Sequence, residues 1–211
     1  KEKGMRIYAS NLCSEIMLPS SPEESFVCCL SSMNLKYYEE WKDTNAVQLM
    51  VMFLDAVMQE FIDKTEGVRF MERANRFAKR HRALGLGVLG WHDLLQSKMI
   101  PFDSFNASML NASVFSRISV KAESASEYLG KTLGEPDVLK GRERRNTTLT
   151  AIAPTKSSSF ILGQVSQGIE PIKSNYHIKD TAKVKYTYRN QALQDHLIEI
   201  GYDMPEVWDS I

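Results

Sequence analysis

Residues Thr147 to Pro154 read TTLTAIAP, a β-rich run without a charged side chain, the pattern of a strand buried on both faces. A strand of that kind needs helices to cover it, and the sequence supplies them. Thr44 can cap a largely apolar helix running to about Lys64, with Gly67 as a stop signal just beyond. Asp103 or Ser104 begins a long amphipathic helix through about Leu129. Its apolar residues Met109, Leu110, Phe115, Ile118 and Leu129 recur near helical spacing, and Gly130 is the expected stop. Alternation in SNLCSEIML, from Ser10, and in SFVCCLSSMNL, from Ser25, predicts two more strands joined by the turn-rich PSSPEES. The segment from Leu84 to Gln96 is glycine-rich and then helical in WHDLLQ, and Pro101 ends it. A β segment VKYTY and a final helix NQALQDHLIEIG close the chain. Buried strands mixed with covering helices place the fold in the α/β class.

Composition narrows the function by exclusion. Lys plus Arg and Asp plus Glu are 26 each, so no global field draws the chain to nucleic acid or to an anionic membrane. The longest apolar run, AVQLMVMFLDAVM from Ala46, is interrupted by Gln48 and Asp55 and is shorter than the ~20 residues of a membrane span. The three cysteines make no disulfide framework, and no charged-then-apolar leader opens the sequence, so a reducing, cytoplasmic setting is expected. The asparagine triplets at Asn106, Asn111 and Asn146 then count as chance matches to a glycosylation signal. An opening KEKGMRIYAS without initiator methionine suggests an internal piece of something larger.

Four stretches carry candidate chemistry. In RALGLGVLGW, Gly85, Gly87 and Gly90 satisfy G-x-G-x-x-G, but the dinucleotide fingerprint needs a preceding strand. The preceding RFAKRHR is basic and helix-like, which favours close backbone packing as the reason for these glycines. The basic run KGRERRN, Lys140 to Asn146, lacks interleaved aromatics and contains Glu143, so a solvated loop is preferred to a phosphate contact. APTKSSS, Ala153 to Ser159, lies at the carboxyl end of the buried strand, where α/β folds bind ligands; its composition alone fits a phosphate loop or an ordinary hydroxyl-rich turn equally well.

The fourth is SNLCSEI with Cys28. Strand alternation would aim Asn11, Cys13 and Glu15 at one volume. A carboxylate beside a thiol raises its pKa, which disfavours thiolate nucleophilic chemistry. The histidines, His81, His92, His177 and His196, are scattered, and the cysteines lack paired zinc-ligand spacing, so neither Cys/His catalysis nor a metal site is supported. A neutral thiol doing hydrogen-atom chemistry suits the set better, with Glu15 as general base and Asn11 as an orienting amide. A buried cysteine that merely packs is the commoner explanation on residues alone.

The stretches NLCSEI, CCLSSMNL, RALGLGVLGW, TLTAIAPTKSSS and SQGIEP, in that order, resemble the catalytic large subunit of class I ribonucleotide reductase. The resemblance implies a partial ten-stranded α/β barrel with a central finger loop carrying the radical cysteine. Residues 1–211 would be the C-terminal-side part of that catalytic domain, without the ATP cone, the first redox cysteine or the C-terminal tail. It implies that Cys13 becomes a thiyl radical and takes hydrogen from the ribose 3′ carbon. Glu15 then accepts the 3′-hydroxyl proton, Asn11 hydrogen-bonds in the same site, and Cys28 is one member of the redox pair. Leu12 and Ser14 would line the substrate site with them, and Pro154, Thr155, Lys156, Ser157 and Ser158 would hold the substrate diphosphate. Cys29 is expected to be structural. The Tyr37–Tyr38 pair lies outside the family's radical-transfer context and carries no such role.

No cofactor or metal bound directly to this chain is implied. The radical would come from a metal-radical cofactor of a small (beta) subunit, diiron-tyrosyl by resemblance, while ATP and dNTP effectors bind regions outside the chain. Implied partners are complementary large-subunit segments, the small subunit, a ribonucleoside diphosphate, and thioredoxin or glutaredoxin. No nucleic acid or membrane is implied, and the setting is the cytoplasm, the host's if the gene is phage-borne. The product would be deoxyribonucleotides for DNA synthesis, and the chain alone is expected to be inactive. Two rival readings remain: an adenosylcobalamin-dependent class II reductase, and a non-catalytic fragment kept for assembly. A dinucleotide-binding module is more distant.

Overall fold

The computed structural model describes residues 6–180 and 185–211. Strand β1 (Cys29–Asn34) pairs in parallel with β2 (Leu84–Leu89), from Cys29 opposite Leu84 to Asn34 opposite Leu89. Parallel strands require a long crossover, and here it is three helices: α1 (Tyr38–Trp41), α2 (Ala46–Thr65) and α3 (Glu72–His81). After β2 come α4 (Trp91–Ser97) and the long α5 (Phe105–Leu133), which packs beside α2. The chain then returns along β2, passes into α6 (Lys156–Ile161), and forms an antiparallel hairpin of β3 (Tyr176–Asp180) and β4 (Lys185–Arg189). It closes with α7 (Gln191–Glu199) and α8 (Pro205–Asp209). Among the described residues no single helix is long and apolar enough to cross a membrane.

Strand β2 reads Leu-Gly-Leu-Gly-Val-Leu and is buried throughout. Period-two alternation gives its two faces different jobs. Leu84, Leu86 and Val88 enter the large core with Val47, Val51 and Leu54 of α2 and Val114 and Ile118 of α5. Gly85 and Gly87 form the opposite face, where space is short. A Cβ on Gly85 would meet Leu30 Cδ2 at 2.5 Å, Ala151 Cβ at 2.9 Å and Cys28 Sγ at 3.2 Å, and one on Gly87 would meet the Ala151 carbonyl oxygen at 2.2 Å. Close backbone approach therefore accounts for Gly85 and Gly87. The dinucleotide reading fails, because Gly85 and Gly87 lie within the strand itself and not in a turn between strand and helix.

Several sequence expectations are corrected. SNLCSEIML is a turn-containing loop, because Asn11 satisfies locally the bonds a strand would take from a neighbour. The Ser14 N–H donates to the Asn11 carbonyl, the Ile16 N–H donates to Asn11 Oδ1, and the Asn11 N–H donates to the Ile16 carbonyl. Ser14 has a φ of 58°, which breaks any pleat. TTLTAIAP does run parallel to β2, bridging Leu86 to Thr150, with Leu84 and Leu86 N–H groups donating to Thr148 and Leu149. Regular pairing stays short there: the Thr148 hydroxyl donates to the Leu84 carbonyl, taking a ladder position. Gly130 does not stop α5. It lies within the helix where a Cβ would stand 3.1 Å from the Arg144 backbone, and Gly134, with a φ of 86°, ends the helix instead. VKYTY falls on β4 except Val184, which is outside the described residues.

The basic run is also more than a solvated loop. The buried Asp55 carboxylate of α2 accepts from Arg82 Nε and Nη2 at 2.9 and 3.0 Å, from Arg145 Nε at 2.9 Å and from Asn146 Nδ2 at 2.9 Å. Burial alone would push the Asp55 carboxyl up, but the hydrogen bonds and charges of Arg82 and Arg145 outweigh it and hold the pKa below 3.8. Its stabilising contribution is thus complete above about pH 3.8 and is lost as the pH falls through the lower folded value. Asp55→Ala, which leaves the buried Arg82 and the half-buried Arg145 guanidinium groups without their carboxylate, is expected to cost about 3–5 kcal/mol in chemical denaturation. A loss no larger than a surface substitution gives would contradict the anchoring role.

Candidate active site

The glycine face of β2 holds Cys28, with Glu15 close enough to act on its thiol. Cys28 immediately precedes β1 and packs with Ile16, Leu18, Phe77, Ala83 and Ala151 in a small second core. Cys29 packs into the large core instead. Adjacent strand residues point to opposite sides, so the two thiols are separated by the backbone, and Cys28 alone faces Gly85 and the 10–18 loop. Burial first, then the charges of Cys29 and Glu15, push the Cys28 thiol up to about 12. It is a neutral S–H at physiological pH.

Glu15 turns inward from its loop. Its Oε2 is buried and, among the described residues, accepts no hydrogen bond. Beside it a cleft of about 570 Å³ is lined by Ser14, Glu15, Phe115, Ser119, Thr150, Ala151 and Ile152. A buried carboxylate oxygen opening onto a cleft is an acceptor in want of a donor. Asn11 holds the loop through its Oδ1, which leaves its Nδ2 hydrogens to donate elsewhere. Cys13 and Leu12 stand at the exposed tip, Leu12 at 98% exposure. The structure therefore brings Glu15 to Cys28 and to the cleft, and leaves Cys13 facing outward.

Two residues beyond Ile152 begins the hydroxyl-rich loop. Pro154 leads to Thr155, whose φ of 52° starts α6, and Lys156, Ser157 and Ser158 are exposed on its first turn. The N–H groups of that turn have no carbonyl four residues back within the helix. The Thr155 hydroxyl is already engaged, accepting from the Gly168 N–H at 2.8 Å. Sequence reading missed this support from SQGIEP, and it missed Phe115 and Ser119, whose helical spacing marks only a packing face and says nothing of a cleft. Among the described residues no group of three or more His, Cys, Asp or Glu side chains is arranged to hold a metal ion.

Comparison with known proteins bears on the same region. The family model described as ribonucleotide reductase, barrel domain, matches residues 1–141 and 137–211. A putative ribonucleoside-diphosphate reductase large subunit of Frog virus 3 (isolate Goorha) is 40% identical over 212 residues, covering 100% of this chain and 37% of the viral protein. The ribonucleoside-diphosphate reductase large subunit of Invertebrate iridescent virus 3 is 38% identical over 215 residues, covering 100% of the chain and 34% of that protein. Among solved structures, the Actinobacillus ureae class Id ribonucleotide reductase alpha subunit superposes with a TM-score of 0.93 at 57% identity, over 100% of this chain and 38% of that one. The chain thus spans little more than a third of the length of these relatives.

Exposure and charge give the thiols an order of reactivity. Iodoacetamide at pH 8, followed by peptide mass spectrometry, is expected to modify exposed Cys13 first and Cys28 last. Glu15→Gln removes one of the charges that raise the Cys28 pKa and should speed its alkylation severalfold. Modification of Cys28 ahead of Cys13 would contradict this geometry.

Proposed function

This chain belongs to the ribonucleotide reductase barrel-domain family, and from that membership we propose that it forms part of the catalytic large subunit of a class I ribonucleoside-diphosphate reductase. The reaction replaces the ribose 2′-hydroxyl of a ribonucleoside diphosphate with hydrogen. The observation that carries the reading is the pairing of a neutral, half-buried Cys28 thiol with the unpartnered Glu15 carboxylate beside a cleft. A thiol with a pKa near 12 is a poor nucleophile and a suitable source of hydrogen and reducing electrons.

In this mechanism Cys13 is the radical carrier. Its sulfur takes the hydrogen atom from the ribose 3′ carbon, leaving a carbon radical and an S–H. Glu15 accepts the 3′-hydroxyl proton, its buried Oε2 being placed to receive a donor. The 2′-hydroxyl departs as water, Cys28 and a second thiol supply two electrons and two protons and end oxidised as a disulfide, and Cys13 returns its hydrogen atom to the 3′ carbon, which regenerates the thiyl radical. That second thiol belongs to another segment of the large subunit, since Cys29 faces the opposite core. Asn11 orients the ribose through its free amide hydrogens, with Leu12 and Ser14 flanking it. The diphosphate rests on Pro154 to Ser158, where free N–H groups, two serine hydroxyls and Lys156 offer complementary charge and donors.

The barrel is completed by further large-subunit segments, and the exposed loop tip with Leu12 and Cys13 is then enclosed. Radical supply falls to a small subunit with a metal-radical cofactor, for which the diiron-tyrosyl type is the working assignment, and re-reduction falls to thioredoxin or glutaredoxin. Similarity to a class Id alpha subunit favours this reading over an adenosylcobalamin-dependent one.

The test is diphosphate reduction by the complete large subunit with its small subunit. Cys13→Ser is expected to abolish turnover while substrate binding persists. Glu15→Gln should lower kcat by about 10²–10⁴-fold, the usual worth of a positioned general base. Unchanged turnover in Cys13→Ser would sink the mechanism.

A further inference from the structure

Thr155 occupies a backbone region that a β-branched residue rarely adopts, at a φ of 52° and ψ of 30°. Such a conformation persists only where neighbouring groups over-determine it. The neighbour here is Gly168, whose N–H donates to the Thr155 hydroxyl at 2.8 Å and whose own φ is 53°. A Cβ on Gly168 would come within 3.0 Å of the Ala153 carbonyl, so the two segments lie in close contact.

Gly168 is in turn held by the first turn of α4. The Gly90 N–H donates to the Ser166 carbonyl at 2.9 Å, the Trp91 N–H to the Gly168 carbonyl at 3.4 Å and the His92 N–H to the Ser166 hydroxyl at 3.1 Å. Two side chains return the contact. Asp93 Oδ2 accepts from the Ser166 N–H at 2.6 Å, and His92 Nδ1 accepts from the Ile172 N–H at 2.9 Å. Gly168 therefore stands between α4 and Thr155, bonded to both. The far end of α6 is secured separately, the Leu162 carbonyl accepting from Asn34 Nδ2 at 3.0 Å.

We infer that Asp93 is a positioning residue for the diphosphate loop: its carboxylate fixes Ser166, Ser166 and Trp91 fix Gly168, and Gly168 holds Thr155 in its left-handed conformation. His92 seconds it by holding Ile172. The inference rests on the reading of Pro154–Ser158 as the phosphate loop. Asp93 touches no substrate in this scheme. A bare carboxylate near a diphosphate would repel it, so a benefit from Asp93 must come through geometry.

That distinction supplies the test, in the complete large subunit assembled with its small subunit. Asp93→Ala is expected to raise KM for the ribonucleoside diphosphate roughly tenfold, the scale of one lost charge-assisted hydrogen bond, while kcat stays near wild type. Asp93→Asn keeps an oxygen that accepts the Ser166 N–H and should restore KM. An unchanged KM in Asp93→Ala, or an equal rise in Asp93→Asn, overturns the positioning role. Should Asp93→Ala fail to accumulate as folded protein, His92→Ala carries the same expectation with a smaller rise, and His92→Asn, which offers an amide oxygen near the Nδ1 position, is its rescue; a KM unmoved by His92→Ala overturns the scheme. Ser157→Ala reads the loop itself. A raised KM there with none in Asp93→Ala overturns the positioning role alone, and no rise in either overturns the diphosphate reading as well.

Discussion

The Asp55 carboxylate gathers in one buried point the segments from which the sheet begins. Arg82 is the left-handed residue that ends α3 and turns the chain into β2. Asn146 precedes the strand-like run beside β2, and its Nδ2 also donates to the Arg82 carbonyl. Arg145 Nη1 donates to the Leu133 and Gly134 carbonyls at the end of α5, where the helix dipole favours a cation. Two guanidinium groups against one carboxylate would leave an excess charge. Gln59 and those helix-end carbonyls absorb it. The parallel alignment of β2 with residues 148–151 follows, because both segments leave the same anchor in the same direction.

From that alignment the site face follows. With the leucines and Val88 of β2 committed to α2 and α5, the alternate positions can be glycine, and the opposite face becomes a shallow floor. Cys28, Leu30 and Ala151 settle onto it at distances that any side chain on Gly85 or Gly87 would forbid. Cys28 is therefore placed by an absence of side chains as much as by any contact, and the 10–18 loop closes over it with Ile16 and Leu18.

Most of the helices were legible because their signals are local. Ser104 does cap α5, accepting from the Ala107 N–H, and Asn190 caps α7 in the same way. What sequence pattern could not deliver was decided by partners far along the chain. Gly130 looks like a stop until the Arg144 backbone is seen crossing it, and KGRERRN looks solvated until Asp55, some ninety residues earlier, claims Arg145 and Asn146. The alternation of Asn11, Cys13 and Glu15 misled for a different reason. Period two is shared by strands and by tight loops whose amide side chain bonds its own backbone, and only the hydrogen bonds of Asn11 tell them apart. The motif named the residues of the 10–18 loop, whereas the strand geometry first given for them is not the one the chain adopts.

The separation of Cys28 from Cys29 has a chemical corollary. Neighbouring thiols in an extended chain point apart, and closing them into a disulfide would require the strand to be unmade. Strand β1 thus acts as a partition: an oxidant reaching one thiol finds no disulfide partner in the other. The chemical independence of the two thiols is in this sense a property of the backbone hydrogen bonds between β1 and β2, which keep two adjacent sulfurs in separate compartments.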